Sequence, residues 1–301
     1  MSKQNTDRHR SPRRDIAADI NAKILADLES GVLPWRKPWD GARVGGPPGL
    51  PLRASGEPYR GINVIILWNA ACEANYQART WLTFNQALQL GGAVRKGEKG
   101  QAIVYYGSST RTRTDDAGDS VEETLRFLKS YVVFNAEQID GLDGDFYTVP
   151  GAGDACPLAT HEAWFSKLDI ARIQTADLAC YIPSRDVIGM PPIAAFDSAE
   201  HYAQTLNHEC VHATKAPHRL DRDFAKRYPE HHYYVEEICA ELGAAYLSAH
   251  LGLSPGHLHD HSAYIDHWVK LLKHDRRAFL DAAAKAQVAV DWLLNKSPIA
   301  A

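Results

Sequence analysis

The residues best suited to chemistry are the two histidines and the glutamate of the run His208-Glu209-Cys210-Val211-His212. Histidines four residues apart on a helix lie on one face, so both imidazoles can reach the same metal ion. Zinc accepts neutral imidazole nitrogen, and a neighbouring carboxylate can take a proton from the water that the metal activates. The spacing therefore predicts a hydrolytic zinc site, with His208 and His212 as ligands and Glu209 as the catalytic base.

A catalytic zinc needs a third protein ligand and an open fourth position. Glu237 and Glu241 lie four apart in YVEEICAELGAA, so one can bind the metal while the other holds a ligand histidine through its second ring nitrogen. This run resembles the glutamate-ligand class of HExxH enzymes, which favours Glu237 as the ligand and Glu241 as its supporting carboxylate. The reverse assignment stays open. The expected cofactor is Zn²⁺, with Mn²⁺ or Co²⁺ as alternatives.

Other polar residues of the C-terminal half have weaker signals. Candidates for stabilising an oxyanion, which the sequence does not rank, are Tyr181, His218, His231, His232, Tyr233, Tyr234 and Tyr264. The HLHDH run at 257–261 is more typical of a polar surface than of a metal site. Cys210 and Cys239 fall off the ligand faces and are expected to be buried packing residues.

The elements that must position these residues are mostly helices. The predicted helices are at about 159–171, 198–215, 233–250, 260–274 and 276–295. Asp197 or Ser198 can cap the helix that carries the histidines. Short strands are predicted at 180–183 and 187–190, on either side of a turn. The C-terminal half is therefore expected to be mainly helical with a small sheet.

The N-terminal half has a mixed pattern. An amphipathic helix is predicted at 15–30, ended by Gly31, and a short helix capped by Thr83 is predicted to run to Leu90. The apolar run 59–68 favours a strand because of its β-branched residues, although a helix is not excluded. Strands are predicted at 101–109 and 128–139, with an acidic, solvated loop at 115–123 between them. This half is expected to be α+β.

Composition places the chain among ordinary globular proteins of about two domains. Of its 301 residues, 45% are hydrophobic and 23% are charged, and no apolar run is long enough for a membrane span. The five cysteines form no CxxC pair, which favours a reducing cytoplasm over a disulfide framework. The basic start of the chain, residues 1–13, is predicted to be a disordered leader and not a secretory signal.

Charge is unevenly divided between the two halves. Residues 1–111 hold 16 Lys and Arg against 9 Asp and Glu, whereas residues 112–301 hold 17 against 28. A basic half that mixes cations with aromatic rings suits single-stranded DNA, where bases stack on rings and cations follow the phosphates. The alternative is a tryptophan core beside an ordinary charged surface. The candidate DNA-binding residues are Trp35, Arg36, Lys37, Trp39, Tyr59, Arg60, Trp68, Arg79, Trp81, Phe84, Arg95, Lys96 and Lys99.

Several long blocks resemble the ArdC-type antirestriction proteins. PWRKPW, PYRGINVIILW, WLTFNQALQLGGAVRKGEKG and VVFNAEQIDGL resemble the N-terminal domain of that family. YIPSRDVIGMPP, HECVHATKAPHRLDRDF, YVEEICAELGAAYL and the long block from SAYIDHW to VDWLL resemble its zincin-type metallopeptidase domain. The blocks occur in order over about residues 14–295. The resemblance implies a protein of a plasmid or other mobile element that shields incoming DNA from host restriction.

Together these observations predict an α+β chain of two domains. The expected divisions are a leader at 1–13, a single-stranded-DNA-binding domain at 14–145, a linker at 146–157 and a zincin-like metallopeptidase domain at 158–301. The expected partners are single-stranded DNA and a protein substrate such as a restriction component or a host regulator, with no membrane. Two alternatives stay open: a DNA-binding protein whose metal is structural, and a peptidase that DNA tethers near a host regulator.

Overall fold

The computed structural model describes residues 15–35, 49–114, 120–147, 158–253 and 262–299. Within these ranges, no helix is both long and apolar enough to cross a bilayer. Several sequence predictions fall outside them: the leader 1–13, most of the linker 146–157, the residues Arg36, Lys37 and Trp39, and the HLHDH run at 257–261.

The N-terminal half combines helices with a sheet, as predicted. Its elements in chain order are α1 (Ile16–Glu29), β1 (Leu52–Arg53), α2 (Ile62–Ala74), β2 (Thr80–Thr83), α3 (Phe84–Gln89), β3 (Ala93–Val94), β4 (Gln101–Thr114), β5 (Ser120–Asn135) and β6 (Ile139–Asp140). The predicted caps are confirmed, because Thr83 and Gln86 form a capping box at α3 and Gly31 follows α1 with a φ of +76°.

The prediction of a strand at 59–68 is wrong, because this run lies largely in α2. Burial explains the error: Val64, Ile65, Leu67 and Trp68 point in different directions around the helix and all are buried. A helix that is apolar all round shows no 3.6-residue alternation, so its β-branched residues mislead a sequence prediction. The helix ends at Asn75, which adopts the left-handed conformation with a φ of 56°.

Strands β4 and β5 form a long antiparallel hairpin, paired from Gln101 opposite Val133 to Thr114 opposite Ser120. They belong to a sheet of order β1-β2-β5-β4. The predicted loop 115–123 was too long, since β5 already begins at Ser120. On the edge strand β4, the amide of Asn63 in α2 donates to the Val104 carbonyl at 2.8 Å and accepts from its N–H at 2.9 Å, which satisfies part of the edge.

The C-terminal half is mainly helical, also as predicted. Its elements are α4 (Leu158–Phe165), β7 (Ala171–Gln174), β8 (Cys180–Ile182), β9 (Val187–Met190), α5 (Ala199–Ala213), α6 (His232–His250), α7 (Ser262–His274) and α8 (Ala278–Lys296). The strands form a small sheet of order β7-β9-β8. Strand β7 was not predicted, and the helix predicted at 159–171 ends earlier, at Phe165.

One apolar core joins the two halves. The ring of Trp35, just after α1, lies 5.5 Å from that of Trp268 in α7 and 5.8 Å from that of Phe279 in α8. Asn21 donates to the Leu272 carbonyl at 3.0 Å, so α1 is also tied to α7 by a buried hydrogen bond. The start of the chain is therefore part of the packing around the C-terminal helices.

Candidate metal centre

Helix α5 presents the two histidines of the HExxH run on one face. The helix starts at Ser198, whose hydroxyl accepts a hydrogen bond from the His201 N–H at 3.0 Å, so one of the two predicted caps is present. The Nε2 atoms of His208 and His212 lie 3.0 Å apart, and both residues are buried. Two imidazole nitrogens therefore point at the same small region.

Helix α6 brings Glu237 to that region. Its Oε2 lies 3.6 Å from His208 Nε2, and its Oε1 lies 3.4 Å from His212 Nε2. One ligand atom from each of the three residues falls within 4.8 Å of the others. Two imidazole nitrogens and a carboxylate oxygen are the donor set of a catalytic zinc with three protein ligands, so these residues fit a divalent metal.

Glu241 lies on the other side of His208. Its Oε1 is 3.1 Å from His208 Nδ1, and its Oε2 accepts a hydrogen bond from the indole N–H of Trp35 at 3.0 Å. Glu241 is fully buried. Burial alone would lower the pKa of His208, but Glu237 and Glu241 raise it well above its ordinary value. The geometry favours Glu237 over Glu241 at the metal, because Glu241 is at the far ring nitrogen.

His212 has a corresponding support that sequence reasoning missed. Glu236 Oε1 accepts from His212 Nδ1 at 3.0 Å, and Arg222 donates to both oxygens of Glu236, at 2.7 and 2.9 Å. Burial raises the pKa of Glu236, but hydrogen bonds from Arg222 and His212 outweigh it and hold that pKa at about 2. Glu236 adjoins Glu237 in sequence, so its nearness to the histidines could have been expected, whereas nothing local indicated Arg222.

Glu209 is fixed by the small sheet. The backbone N–H of Tyr181 in β8 donates to Glu209 Oε2 at 2.6 Å, and Glu209 is 5% exposed. Glu209 is next to His208 in the chain, and the hydrogen bond from Tyr181 fixes the orientation of its carboxylate beside the cluster. A carboxylate held in this way can accept a proton from a water at the metal.

The structure separates the oxyanion candidates. Tyr233 and Tyr264 pair their hydroxyls at 2.9 Å, and the pKa of Tyr233 is raised by burial, by this hydrogen bond and by its contact with Glu237. The phenol of Tyr181 instead donates to Asp186 at 2.8 Å, and His218 lies 3.2 Å from the same carboxylate. These two side chains are therefore paired with Asp186 and not with a predicted metal ligand.

Tyr234 stacks on the ring of His267 at 4.4 Å, and His232 bonds the Pro229 carbonyl at 3.0 Å. His231 packs near the rings of Tyr234 and His274, at 6.5 and 6.3 Å. Of the candidates within the described residues, Tyr233 is thus the one in contact with a predicted metal ligand.

The prediction that DNA bases stack on four of the listed aromatic residues is wrong, because these rings lie in the core. Trp35, Tyr59, Trp68 and Trp81 are 0 to 8% exposed, so no base can stack on them in this fold. Composition gives the number of aromatic rings but does not show which of them are exposed to water. Large rings contribute most to a core. Phe84, by contrast, is 50% exposed.

The cations predicted to bind DNA differ in their exposure and in their ion pairs. Lys96 and Lys99 are exposed. Arg60 is paired with Asp291, and Arg95 with Glu98 at 2.7 Å. Arg79 is half-buried, and burial lowers its pKa. The exposed basic surface that remains is therefore centred on the loop before β4.

Exposed aromatic residues that sequence reasoning missed lie on one face of the β4–β5 hairpin. Tyr105 and Tyr131 are 53% and 45% exposed, and their rings lie 6.2 Å apart. Lys129 lies over the Phe127 ring at 4.7 Å, and the Tyr105 and Phe127 rings are 6.5 Å apart. The two-residue spacing of 127, 129 and 131 could have indicated this shared face. We call Tyr105, Phe127, Lys129 and Tyr131 the hairpin aromatic patch.

Comparison with known proteins places both halves in described families. Residues 14–134 match the family described as the N-terminal domain of anti-restriction factor ArdC, and residues 159–285 match the zincin-like metallopeptidases. The protein y4eC of Sinorhizobium fredii is 36% identical over 96% of this chain and 94% of its own length. Two DNA primases TraC of Escherichia coli are 35% and 33% identical, and the chain spans 27% and 20% of their lengths.

Solved structures of the antirestriction protein ArdC from plasmid R388 share the whole fold. Its metal-free form superposes with a TM-score of 0.79 at 39% identity, covering 94% of this chain and 98% of that one. Its Mn(II)-bound form gives a TM-score of 0.77 at the same identity, covering 95% and 99%. The predicted α+β class, with an ArdC-type N-terminal half and a zincin-like C-terminal half, is confirmed. The chain belongs to the ArdC antirestriction family.

Proposed function

We propose that this chain is an antirestriction factor of a mobile element that binds single-stranded DNA and cleaves a protein at a zinc site. The observation that carries the proposal is the buried cluster of His208, His212 and Glu237, with Glu209 anchored beside it. A form of ArdC from R388 binds Mn(II), which supports binding of a divalent metal by this chain. We assign Zn²⁺, because this donor set is typical of zinc hydrolases, and we place the protein in the cytoplasm, where incoming DNA meets restriction enzymes.

The chemistry follows from the residues around the cluster. Bound there, the metal would supply Lewis acidity and lower the pKa of water. Glu209 then accepts a proton from the attacking water and passes it to the leaving amine, while the Tyr181 N–H keeps its carboxylate oriented. The hydroxyl of Tyr233, beside Glu237, is the best-placed donor to the developing oxyanion.

The single-stranded-DNA part of the proposal rests on the hairpin aromatic patch and on the exposed cations Lys96 and Lys99. Aromatic rings beside a lysine suit bases that stack without sequence preference. Binding of this kind weakens as salt rises, because phosphate contacts release counterions. Titration of a single-stranded oligonucleotide at two salt concentrations should therefore show a lower affinity at the higher salt.

Glu209→Gln tests the hydrolytic part, because it keeps the shape of the side chain and removes the base. We expect the variant to keep its metal and to lose cleavage by at least about 100-fold, the lower end of what a general base contributes. The readout is a proteome of a host that expresses either form, searched for fragments that only wild type produces. Glu230→Gln, at an exposed position between α5 and α6, is the matched control.

The same variant separates the proposal from a structural metal. Transfer of an unmodified plasmid into a restricting host should fall to the unprotected level with Glu209→Gln if hydrolysis is the working activity. Full protection by Glu209→Gln would leave DNA binding as the function and the metal as a structural element. The protein fragments seen only with wild type would name the substrate, which we propose to be a restriction component or a host regulator.

A further inference from the structure

Arg79, which directly precedes β2, is a half-buried arginine without a carboxylate beside it. Its Nε is buried and has no hydrogen-bond partner, and its guanidinium forms no ion pair with the residues that the structure describes. Burial lowers the pKa of Arg79, and no acidic group in the described ranges offsets that effect. A charge taken partly out of water costs free energy unless a partner compensates it.

Two other arginines show how this chain treats a guanidinium that is not exposed. Arg219 donates to the two oxygens of Asp186 at 2.7 and 2.9 Å, and Arg222 donates to the two oxygens of Glu236 at 2.7 and 2.9 Å. Among the arginines whose side-chain burial the structure describes, only these two and Arg79 are not exposed. Arg79 is therefore the exception, and an anion from outside the chain would supply the partner that it lacks.

Gly49 leaves the space that the guanidinium of Arg79 occupies. A β-carbon at position 49 would lie 3.1 Å from Cδ and 3.2 Å from Cζ of Arg79 and would overlap one of its terminal nitrogens. The two backbones are held in place, because the Gly49 carbonyl accepts from the Trp68 indole at 3.2 Å and the Arg79 carbonyl accepts from the Leu52 N–H at 2.9 Å. Any side chain at position 49 would thus displace the guanidinium.

The chemistry of Arg79 and the charge of its surroundings select the kind of anion. A guanidinium offers several N–H donors in a fixed plane, a geometry that matches the oxygens of a phosphate. Residues 1–111, which include Arg79, hold 16 Lys and Arg against 9 Asp and Glu. A basic half of this kind favours a polyanion over a single acidic side chain. The phosphodiester backbone of the proposed single strand is such a polyanion.

Arg79 is also within reach of a strand that lies on the hairpin aromatic patch. Strand β2 pairs with β5, so that Trp81 is opposite Asn135, and Tyr131 of the patch is four residues from Asn135 along β5. At about 3.4 Å per residue, Arg79 is about 20 Å from Tyr131 along the sheet. Phosphates of one DNA strand follow one another at about 3.4 Å along the axis, so about six nucleotides span this distance.

We infer that Arg79 binds a backbone phosphate of the single strand and that Gly49 keeps the space which this contact requires. The inference rests on the proposed binding of single-stranded DNA and adds to it a defined phosphate site outside the hairpin aromatic patch. An unpaired cation that costs free energy in the free protein gains its partner when DNA binds. Arg79 thus contributes to DNA affinity and not to the stability of the free chain.

The test measures the affinity of the full chain for a labelled single-stranded oligonucleotide at several KCl concentrations. For Arg79→Met we expect affinity to fall by about 10- to 100-fold, and the slope of log affinity against log salt to decrease by about 0.7, because one phosphate contact is lost. Gly49→Ala keeps every charge but displaces the guanidinium, so it should weaken binding as well. The double variant should bind no more weakly than Arg79→Met, since both changes remove one contact.

Two variants are matched controls that should bind as wild type does. Arg185→Met removes an exposed arginine of the C-terminal half, and Gly144→Ala adds a methyl group where no atom lies within 4 Å. Urea titration without DNA gives a second readout. The free energy of unfolding of Arg79→Met should equal or exceed that of wild type, because the variant removes an unpaired charge, whereas loss of a structural arginine would lower it.

The outcomes separate the phosphate site from the proposed function. Wild-type affinity and salt slope in Arg79→Met would overturn the phosphate site and leave the DNA-binding proposal standing. A less stable Arg79→Met, together with wild-type binding by Gly49→Ala, would make Arg79 a structural residue and would also overturn the site. Stabilisation by inorganic phosphate that depends on Arg79, with equal DNA affinities, would assign a free anion instead. Absence of salt-dependent binding by wild type would overturn both proposals.

Discussion

Both histidines of the cluster are oriented by carboxylates of a single helix, α6. Glu241 lies at Nδ1 of His208 and Glu236 at Nδ1 of His212, while Glu237 lies at the two Nε2 atoms. A carboxylate at Nδ1 keeps the proton there, so the lone pair at Nε2 is free for a metal. Each of the two histidines is therefore oriented for metal binding by its own carboxylate.

Trp35→Phe tests the more distant of these supports. The change removes the indole N–H that donates to Glu241 and leaves a buried carboxylate oxygen without that donor. We expect zinc affinity to fall by about 10- to 100-fold, as is usual when the partner of a ligand histidine is disturbed. Competition with a chelator of known affinity measures the change.

Trp164→Phe is the control for the loss of any buried indole. Trp164 is 4% exposed and donates to the Ser297 carbonyl at 2.9 Å, not to a carboxylate that supports a ligand histidine. Both variants should lose stability by about 1 kcal/mol or more, but only Trp35→Phe should lose zinc affinity. Equal zinc affinity in the two variants would show that Trp35 is only a packing residue.

Among the elements, the β4–β5 hairpin gives the sharpest comparison. Tyr105 and Tyr106 are adjacent and similarly exposed, at 53% and 57%, but they point to opposite faces of β4. Tyr105→Ala removes a ring from the hairpin aromatic patch, and Tyr106→Ala removes one from the other face. We expect the first to weaken binding of a single strand by about 5- to 150-fold and the second to change it little.

Fluorescence anisotropy with a labelled single-stranded oligonucleotide measures both affinities. Equal losses for the two tyrosines would mean that the patch is not the stacking surface. Unchanged affinity in both would move the DNA path away from the hairpin.

How far the sequence predicts the elements depends on whether their signals are local. Helix α5 and the pairing of its histidines follow from a cap and a four-residue spacing, so both were predicted. Helix α2 was mistaken because its burial on all sides is a tertiary property. The roles of Trp35 and Arg222 could not be predicted, since they reach the cluster from 206 and 14 residues away in the chain.

At the scale of the whole molecule, buried polar links tie the helices of the C-terminal half together. His161 in α4 bonds the Asn207 side chain of α5 at 2.9 Å, and Asn207 donates to Ser248 of α6 at 3.2 Å. His161 is fully buried, and burial lowers its pKa from the ordinary value of 6.5. The folded chain therefore keeps this histidine neutral where the unfolded chain protonates it.

The sign of the effect on stability follows from that difference. Above a pH of about 6.5, His161 is neutral in both the folded and the unfolded chain, so this residue adds no pH dependence to stability. Below that pH the unfolded chain gains a proton at His161, and the free energy of unfolding falls by up to about 1.4 kcal/mol per pH unit. In chelator-treated protein, His161→Gln should flatten the fall in unfolding free energy between about pH 6.5 and 5.5. Urea titrations measure it, with exposed His232→Gln as control. A slope in His161→Gln as steep as that of wild type would contradict this origin.

The core that joins the two halves implies that the cluster belongs to the whole chain. Tyr246 of α6 donates to the Gly61 carbonyl at the start of α2 at 3.0 Å, and Trp35 reaches Glu241 from the end of α1. The full chain is therefore the form in which metal binding should be measured.

The most direct measurement is the metal content of the full chain, loaded with Zn²⁺, desalted and analysed for bound metal. We expect about one ion per chain in wild type and in the exposed-site control Glu230→Gln, and close to none in Glu237→Gln. Glu241→Gln should still bind, but more weakly, as a support and not a ligand. A full ion in Glu237→Gln, or none in wild type, would contradict the metal centre assigned to His208, His212 and Glu237.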